Sequence, residues 1–249
     1  MIIDKPQNTL PLRQLWKEAF GDGDAFLDSF FTTAFSPERC LCARWGEKLL
    51  GALYWLDVEV CGRKWAYLYG VATAEHSRGK GVCHALMAAA HEKLEHEGYA
   101  GTVLVPGTPA LSGLYKAMGY DFFGGIREVG CKAAKLPVEV KEVDKDTYAA
   151  LRRKRLPPGG VVQEGENLDF LQTQARLYAG EGFVMAARHT QGALFALEFL
   201  GDERLCPGVL KGLSCEKGVF RMPGEKSFAM YRALQENIKA PTYFGFAFD

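Results

Sequence analysis

The sequence has no excess of charge of either sign: Lys and Arg number 30, and Asp and Glu number 30. A protein that grips nucleic acid through its phosphates is usually clearly basic, so nucleic acid is disfavoured as a partner. The one dense cationic run, Arg152-Arg153-Lys154-Arg155, reads as a helix end, where cations suit the macrodipole. Long apolar runs are missing too, so no membrane span is expected. The opening Met1-Ile2-Ile3-Asp4-Lys5-Pro6 lacks the charged start and apolar stretch of a signal peptide. The expectation is a soluble, cytoplasmic protein. An even cysteine framework is also lacking. The seven cysteines are scattered, which suits a reducing compartment. Cys40-Leu41-Cys42 is half a metal site without a second Cys or His pair at ligand spacing. No metal is expected, and these thiols read as buried on a strand.

What remains is an ordinary globular composition, 48% apolar over 249 residues, enough for one large core or two modest ones. Apolar periodicity predicts a strand at 1–4 and helices at 10–20 and 24–35, the second capped by Asp24. Strands at 39–45, 49–61 and 64–72 come next, with Gly46-Glu47 and Gly62-Arg63 at the turns. A long helix at 81–97 stops at Gly98. It is followed by a buried strand at 101–105, a short helix at 110–118, and strands at 120–124 and 127–132. Composition shifts around Lys135-Leu136-Pro137, so the expected domains are residues 1–134 and 135–249. The second begins with a strand at 138–143 and a helix capped by Asp144 or Asp146. It continues with a helix at 168–178 and strands at 183–188 and 193–200. Val105-Pro106-Gly107 with Leu114-Tyr115 resembles Met222-Pro223-Gly224 with Met230-Tyr231, a weak internal repeat in which each segment holds a short helix.

The most informative stretch runs from a strand ending Val71-Ala72-Thr73 to Arg78-Gly79-Lys80-Gly81-Val82-Cys83, where a long helix opens. A helix start offers unpaired N–H groups and the positive end of the dipole. Gly79 and Gly81 let the backbone approach a phosphate, and Arg78 and Lys80 add charge. A nucleotide P-loop would need Ser or Thr after its Gly-Lys, but Gly81 follows Lys80. A dinucleotide loop would need Gly where His84 stands. The pattern suits a pyrophosphate.

On these residues the chain resembles the GNAT acetyltransferase superfamily. Arg78, Gly81 and Cys83 occupy the family's positions for a basic or Gln residue, a Gly, and a small residue, with Cys83 the departure. Val71-Ala72-Thr73, and Leu114-Tyr115 followed by Gly119-Tyr120, look like the family as well. The match covers roughly residues 10–132. With Leu15-Trp16, Ala19-Phe20-Gly21-Asp22 and the trailing second module, the chain resembles two-module bacterial members related to the Eis type. The resemblance implies an α/β fold with a mixed, mostly antiparallel central sheet flanked by helices, and a second, degenerate GNAT-like module.

The resemblance also implies an acetyl-CoA-dependent N-acetyltransferase, with a primary amine of a small molecule attacking the thioester directly in a ternary complex. Val71, Ala72, Thr73, Arg78, Gly79, Lys80, Gly81, Val82 and Cys83 would bind the cofactor, a backbone N–H at Val71 or Ala72 serving the carbonyl oxygen. Tyr115 would be the acid for the leaving thiolate. No carboxylate stands on the strand 64–72, where many members place a Glu. Asp57 and Glu59 share one strand face and read as solvent-facing, as do Glu75 and His76. His84 and His91 read as a polar helix face, and the carboxylate of Asp249 is the remaining candidate base. Phe26, Phe30, Phe31, Trp55 and Tyr67 are candidates to line the substrate pocket, which would suit an amine with an apolar or ring-like body. The second module has no counterpart of residues 78–83 and is expected to bind no coenzyme A, with Tyr231 in a packing role. The protein would be a monomer or homodimer. Two alternatives stay open: a non-catalytic acyl-CoA-binding regulator, and an aminoacyltransferase using charged tRNA.

Overall fold

A computed structural model describes residues 1–248; Asp249, the expected bearer of a terminal carboxylate base, lies outside the described residues. Two compact units divide the chain. The first is Met1–Asp121 with Met230–Lys239, the second Phe122–Ala229 with the residues from Ala240 onward.

In the first unit, β1 (Ile2–Asp4) pairs with the strand that comes after two helices. Helix α1 (Leu10–Phe20) turns Leu12, Leu15 and Trp16 inward from one face. It stops at Gly21, whose left-handed φ of 76° lets its amide reach the Lys17 carbonyl. Helix α2 (Asp24–Thr33) is capped by Gly23, not Asp24, which is already helical and sets its carboxylate at the positive helix end. Strands β2 (Cys40–Trp45), β3 (Lys48–Val60) and β4 (Arg63–Thr73) form an antiparallel meander. The β3–β4 turn is Cys61-Gly62, with φ of 50° and 75°, the doubly positive pattern that matches strand twist. Helix α3 (Val82–His96) carries the chain across to β5 (Gly101–Leu104), parallel to β4. Helix α4 (Pro109–Ala117) comes next. The free side of β5 is paired antiparallel by residues 230–233.

Alternation along β3 and β4 divides the core into two faces. On one, α3 lays Val82, Leu86, Met87, Ala90 and Leu94 over Leu53, Trp55 and Leu68, each large apolar side chain contributing about 2 kcal/mol by leaving water. On the other, the Trp16 ring meets Phe30, Tyr54 and Tyr69 at centroid distances of 4.8, 5.2 and 5.5 Å.

The second unit opens with β6 (Asp121–Lys132), one strand where two were expected. Its ladder with a later strand runs unbroken from Ile126 to Lys132, and Gly124, with φ of 57°, bends the strand without ending it. Of the expected strand 138–143 only β7 (Lys141–Glu142) forms, because Val138 packs on Gly208 instead. Helix α5 (Lys145–Arg155) is capped by Asp144, which accepts from the Thr147 amide at 2.8 Å. The expected helix 168–178 is two elements, α6 (Glu166–Gln172) and β8 (Arg176–Gly180). Pairing of Arg176 with Ala187 and Tyr178 with Met185 outweighs the helical pattern there. Strands β9 (Phe183–Thr190) and β10 (Ala193–Leu200) complete a meander. Helix α7 (Cys206–Gly212) crosses to β11 (Lys217–Pro223), parallel to β10, and β6 flanks β11.

The last strand, β12 (Lys226–Ala233), corrects the expected repeat. Met230 and Tyr231 lie on this strand, Tyr231 opposite Val103, and not in a short helix. The repeat that exists is topological. A short strand, two helices, a meander, a crossing helix and a parallel strand recur, pairing β4 with β10 and α3 with α7. Each unit is thus α/β, with a mostly antiparallel sheet flanked by helices. The second is degenerate in that α7 has seven residues against fifteen in α3. No helix is long and apolar enough to cross a membrane.

Candidate active site

The site is built on the place where β4 leaves β5. The two strands pair only over Trp65–Tyr67 and Gly101–Val103, and β4 then runs on to Thr73 without that neighbour. Between the pairs Tyr54–Tyr69 and Ala52–Ala72, β4 holds one extra residue, a bulge that bends a strand and frees its edge. Gly70 sits there at φ 59°, and a Cβ on it would lie 2.7 Å from the Trp16 ring and 2.9 Å from that of Tyr54. Only glycine fits both the conformation and the space. Beyond the bulge, the Ala74 amide donates to the Leu50 carbonyl at 2.9 Å. Amide direction alternates along a strand, so Ala72 faces β3, while Val71 and Thr73 turn their N–H groups to the edge that β5 vacates. With Ala72 turned to β3, Val71 is the candidate donor there.

The loop from β4 to α3 makes one tight turn at Glu75–Ser77, and the Glu75 amide donates to Glu18 Oε1 of α1 at 2.5 Å. Gly79 and Gly81 then adopt left-handed φ values of 73° and 77°, and Gly81 caps α3 without a side-chain bond. A Cβ at either would meet nothing within 4 Å, so backbone conformation, not crowding, calls for glycine and the space above is open. The amides of Gly79, Lys80, Gly81, Val82, Cys83 and His84 have no acceptor among the described residues, the first internal bond being Ala85 to Gly81. Six consecutive free donors at the positive end of a fifteen-residue helix are a ready anion site. Arg78 and Lys80 fold back onto the loop, Nε to the Thr73 carbonyl at 3.4 Å and Nζ to that of His76 at 2.9 Å. Their charge stays beside the free amides. Donors, room and cationic charge fit a diphosphate.

Tyr115, on α4, is buried against the same cluster that takes up Val71, Cys83 and Leu114. Burial first, then the neighbouring Cys83 thiol, hold its hydroxyl well above the usual phenol range, and it makes no hydrogen bond to another side chain among the described residues. It is protonated at neutral pH, the state a donor needs. The same desolvation strengthens any thiolate formed beside it as an acceptor. Burial likewise pushes the Cys83 thiol up.

Other expected residues lie elsewhere. Asp57 does not simply face solvent: Tyr99 donates to its Oδ1 at 2.5 Å, and Lys64 and Arg39 stand at 3.4 and 3.8 Å from Oδ2. Glu59 is half-buried beside it on the strand, and Glu75 and His76 are exposed. His84 is exposed, but His91 is buried with Nε2 2.8 Å from the Tyr120 hydroxyl, which also meets Thr102 Oγ1 at 2.7 Å. The two histidines therefore do not share a polar face. Burial, then Arg232, push His91 down to about 4. Phe30 and Tyr67 are buried on the Trp16 side, with Phe26 and Phe31 half-buried. Trp55 belongs to the opposite core beneath α3, its indole 3.4 Å from the Tyr99 hydroxyl. Trp16 and Asp22 enter the sequence reading through the family resemblance, and their contacts, Trp16 over Gly70 and Asp22 accepting from the Trp16 indole, are not foreseen there. Among the described residues no three His, Cys, Asp or Glu side chains gather as a metal would require.

Comparison with known proteins agrees with this geometry. Residues 8–123, just under half the chain, match the family model described as an acetyltransferase (GNAT) domain. No curated protein matches the sequence. Among solved structures, a GCN5-related N-acetyltransferase from Kribbella flavida superposes with a TM-score of 0.71 at 18% identity, over 93% of this chain and 71% of that one. One from Anabaena variabilis gives 0.72 at 14% identity, over 94% and 73%. Eis1 from Mycobacterium abscessus gives 0.66 at 9% identity, over 94% and 74%. At these identities the likeness is one of fold, and it spans both units.

Proposed function

We propose, from the premise that residues 8–123 carry a GNAT acetyltransferase domain, that this protein moves an acetyl group from acetyl-CoA to a primary amine of a small molecule. The observation that carries the reading is the run of six acceptor-less amides from Gly79 to His84, opening α3 next to the unpaired edge of β4. These amides, with Arg78 and Lys80, would hold the pyrophosphate, and Val71, Ala72 and Thr73 would border the acyl arm. Acetyl-CoA, when bound, supplies an acyl thioester. The Val71 amide would donate to its carbonyl oxygen as negative charge grows there. Tyr115 would give its proton to the departing sulfur and recover one from solvent, while the amine would give up its own protons to solvent as the C–N bond forms. The aromatic side chains around Trp16 favour an acceptor with an apolar or ring-like body. The catalytic role belongs to the module within residues 1–134. The module within 135–249 is a degenerate relative that binds no coenzyme A.

Titrating coenzyme A calorimetrically into the wild type and into Arg78→Glu tests the first half of the reading. The wild type binds, and charge reversal beside the amides weakens binding about tenfold. Absence of binding to the wild type refutes the proposal. Thiol release over a panel of amines tests the second half. One observation favours a second reading: β4, Arg63–Thr73, carries no carboxylate to take the amine's proton. If coenzyme A binds and no amine releases thiol, a non-catalytic acyl-CoA-binding regulator is the better account.

A further inference from the structure

The two faces of the second unit's sheet differ in what covers them. Side chains alternate along its strands, and one face packs Leu194, Phe220 and Met222 against Val209 and Leu210 of α7. The intervening residues point the other way. The register sets Ala193, Lys217 and Lys132 in one cross-strand row, then Phe195, Val219 and Gly130, then Arg221 and Glu128. Over the first two rows lies a groove of about 670 Å³, wholly within this unit. A space of that order holds a small organic molecule.

The floor of the groove is apolar and one end is cationic. Phe195 and Val219 are half-buried, and a Cβ on Gly130 would meet nothing within 4 Å. Lys132 and Lys217 are exposed and directly opposite each other on neighbouring strands, where like charges repel. Neither pairs with an acid among the described residues. The one acid in these rows, Glu128, is engaged with Arg221, 3.6 Å from Nη2. It does not satisfy even that partner. The Arg221 side chain is 12% exposed and lies against the rings of Phe195 and Phe228, with Nε and Nη1 buried and without an acceptor. Arg188, opposite Phe195, adds another cation, its Nη2 donating to Gln174 at 2.7 Å. This face is short of negative charge throughout. A small inorganic anion would leave the apolar floor wet, and a neutral apolar molecule would leave the lysines facing each other unscreened.

We propose that this groove binds a carboxylate carried on an apolar body. The carboxylate sits between Lys132 and Lys217, and the body lies along Gly130 and Val219 towards Phe195. A polyanion is disfavoured, because cations and acids balance over the chain, 30 to 30, and the facing lysines serve one short groove. The site belongs to the second unit alone and does not depend on the acyltransferase reading.

The probes are octanoate and its neutral counterpart octan-1-ol, titrated calorimetrically into the full chain without coenzyme A. The wild type binds octanoate about fivefold or more tightly than the alcohol, as expected for two exposed charge pairs. Replacing both lysines, Lys132→Gln with Lys217→Gln, brings the two probes to parity. The melting temperature holds or rises, because the facing charges are gone. Gly130→Leu fills the groove where no atom crowds it and abolishes binding of both probes with the melting temperature kept. Ala193→Leu fills it from another strand and gives the same loss if Gly130→Leu melts early. A wild type that binds neither probe, or both alike, overturns the proposal. So does a preference for octanoate that survives in the double lysine variant. Octanoate binding that survives both groove-filling substitutions overturns it as well, since the anion then binds elsewhere.

Discussion

The strands β4 and β10 occupy the same place in their two units, and they part ways beyond the bulge. Both lose their parallel neighbour part-way, and both carry one extra residue against the preceding strand, near Gly70 in β4 and at Leu197 in β10. Past Gly70 come small residues and free amides. Past Leu197 comes Glu198, fully buried, gripped by Arg152 Nε at 2.7 Å and Nη2 at 3.0 Å and by the Tyr148 hydroxyl at 3.0 Å. Gly245 closes over the pair, with no room for a Cβ against Glu198. The helices differ likewise. Nothing crowds the glycines before α3, whereas a Cβ on Gly208 in α7 would stand 2.5 Å from Val138. One topology leaves exposed amides between β4 and α3 in the first unit. In the second, the Arg152 guanidinium and Gly245 fill the space beside the bulge of β10. The fold supplies the opening, and a few residues decide whether it is kept.

The largest expected effect tests whether the Arg152–Glu198 pair closes the second crevice. Burial works against the Arg152 charge, and Glu198 more than offsets it, leaving the guanidinium above its usual value. Arg152→Ala strands a carboxylate that is 0% exposed and should cost about 3–5 kcal/mol in denaturant unfolding. The double variant Arg152→Met, Glu198→Leu should recover most of that loss. If the single variant costs nothing, the pair is not what closes the second unit.

The next effect sharpens the contrast between the units' buried polar groups, charged in the second and neutral in the first. His91 titrates near 4 in the folded protein against 6.5 when unfolded. Between these values the unfolded chain binds more protons, so stability is full above about pH 6.5 and falls on acidification. The loss should approach about 3 kcal/mol at pH 4. Denaturant midpoints measured across that range should lose this slope in His91→Gln.

The smallest effect is on turnover. Tyr115→Phe should lower kcat about a hundredfold in a thiol-release assay, with coenzyme A affinity retained. An unchanged kcat would make Tyr115 a packing residue, as Tyr231 is expected to be.

The legible parts of this molecule are those that local chemistry specifies. Leu12, Leu15 and Trp16 announce α1, and the glycines at 79 and 81 mark a strand-to-helix turn. Pairing decided what periodicity left ambiguous. Residues 168–178 are apolar at both helical and strand spacing, and Arg176–Tyr178 went with β9. Met230 and Tyr231 went with β5 in the same way. The choice between Val71 and Ala72 depends on which amides β3 engages, and only the register supplies that. The contact of Trp16 with Gly70 joins residues far apart in sequence, and neither local pattern announces the other.

The pairing of residues 230–233 with β5 bears on how the protein is made. The first unit receives its final strand only after residues 105–229 have been synthesised. Until then the outer rim of β5 is a row of unsatisfied amides and carbonyls, a template for pairing with any passing chain. A polypeptide ending at residue 134 would keep that rim permanently and should associate with itself. The first unit thus cannot be finished before the second has been largely synthesised.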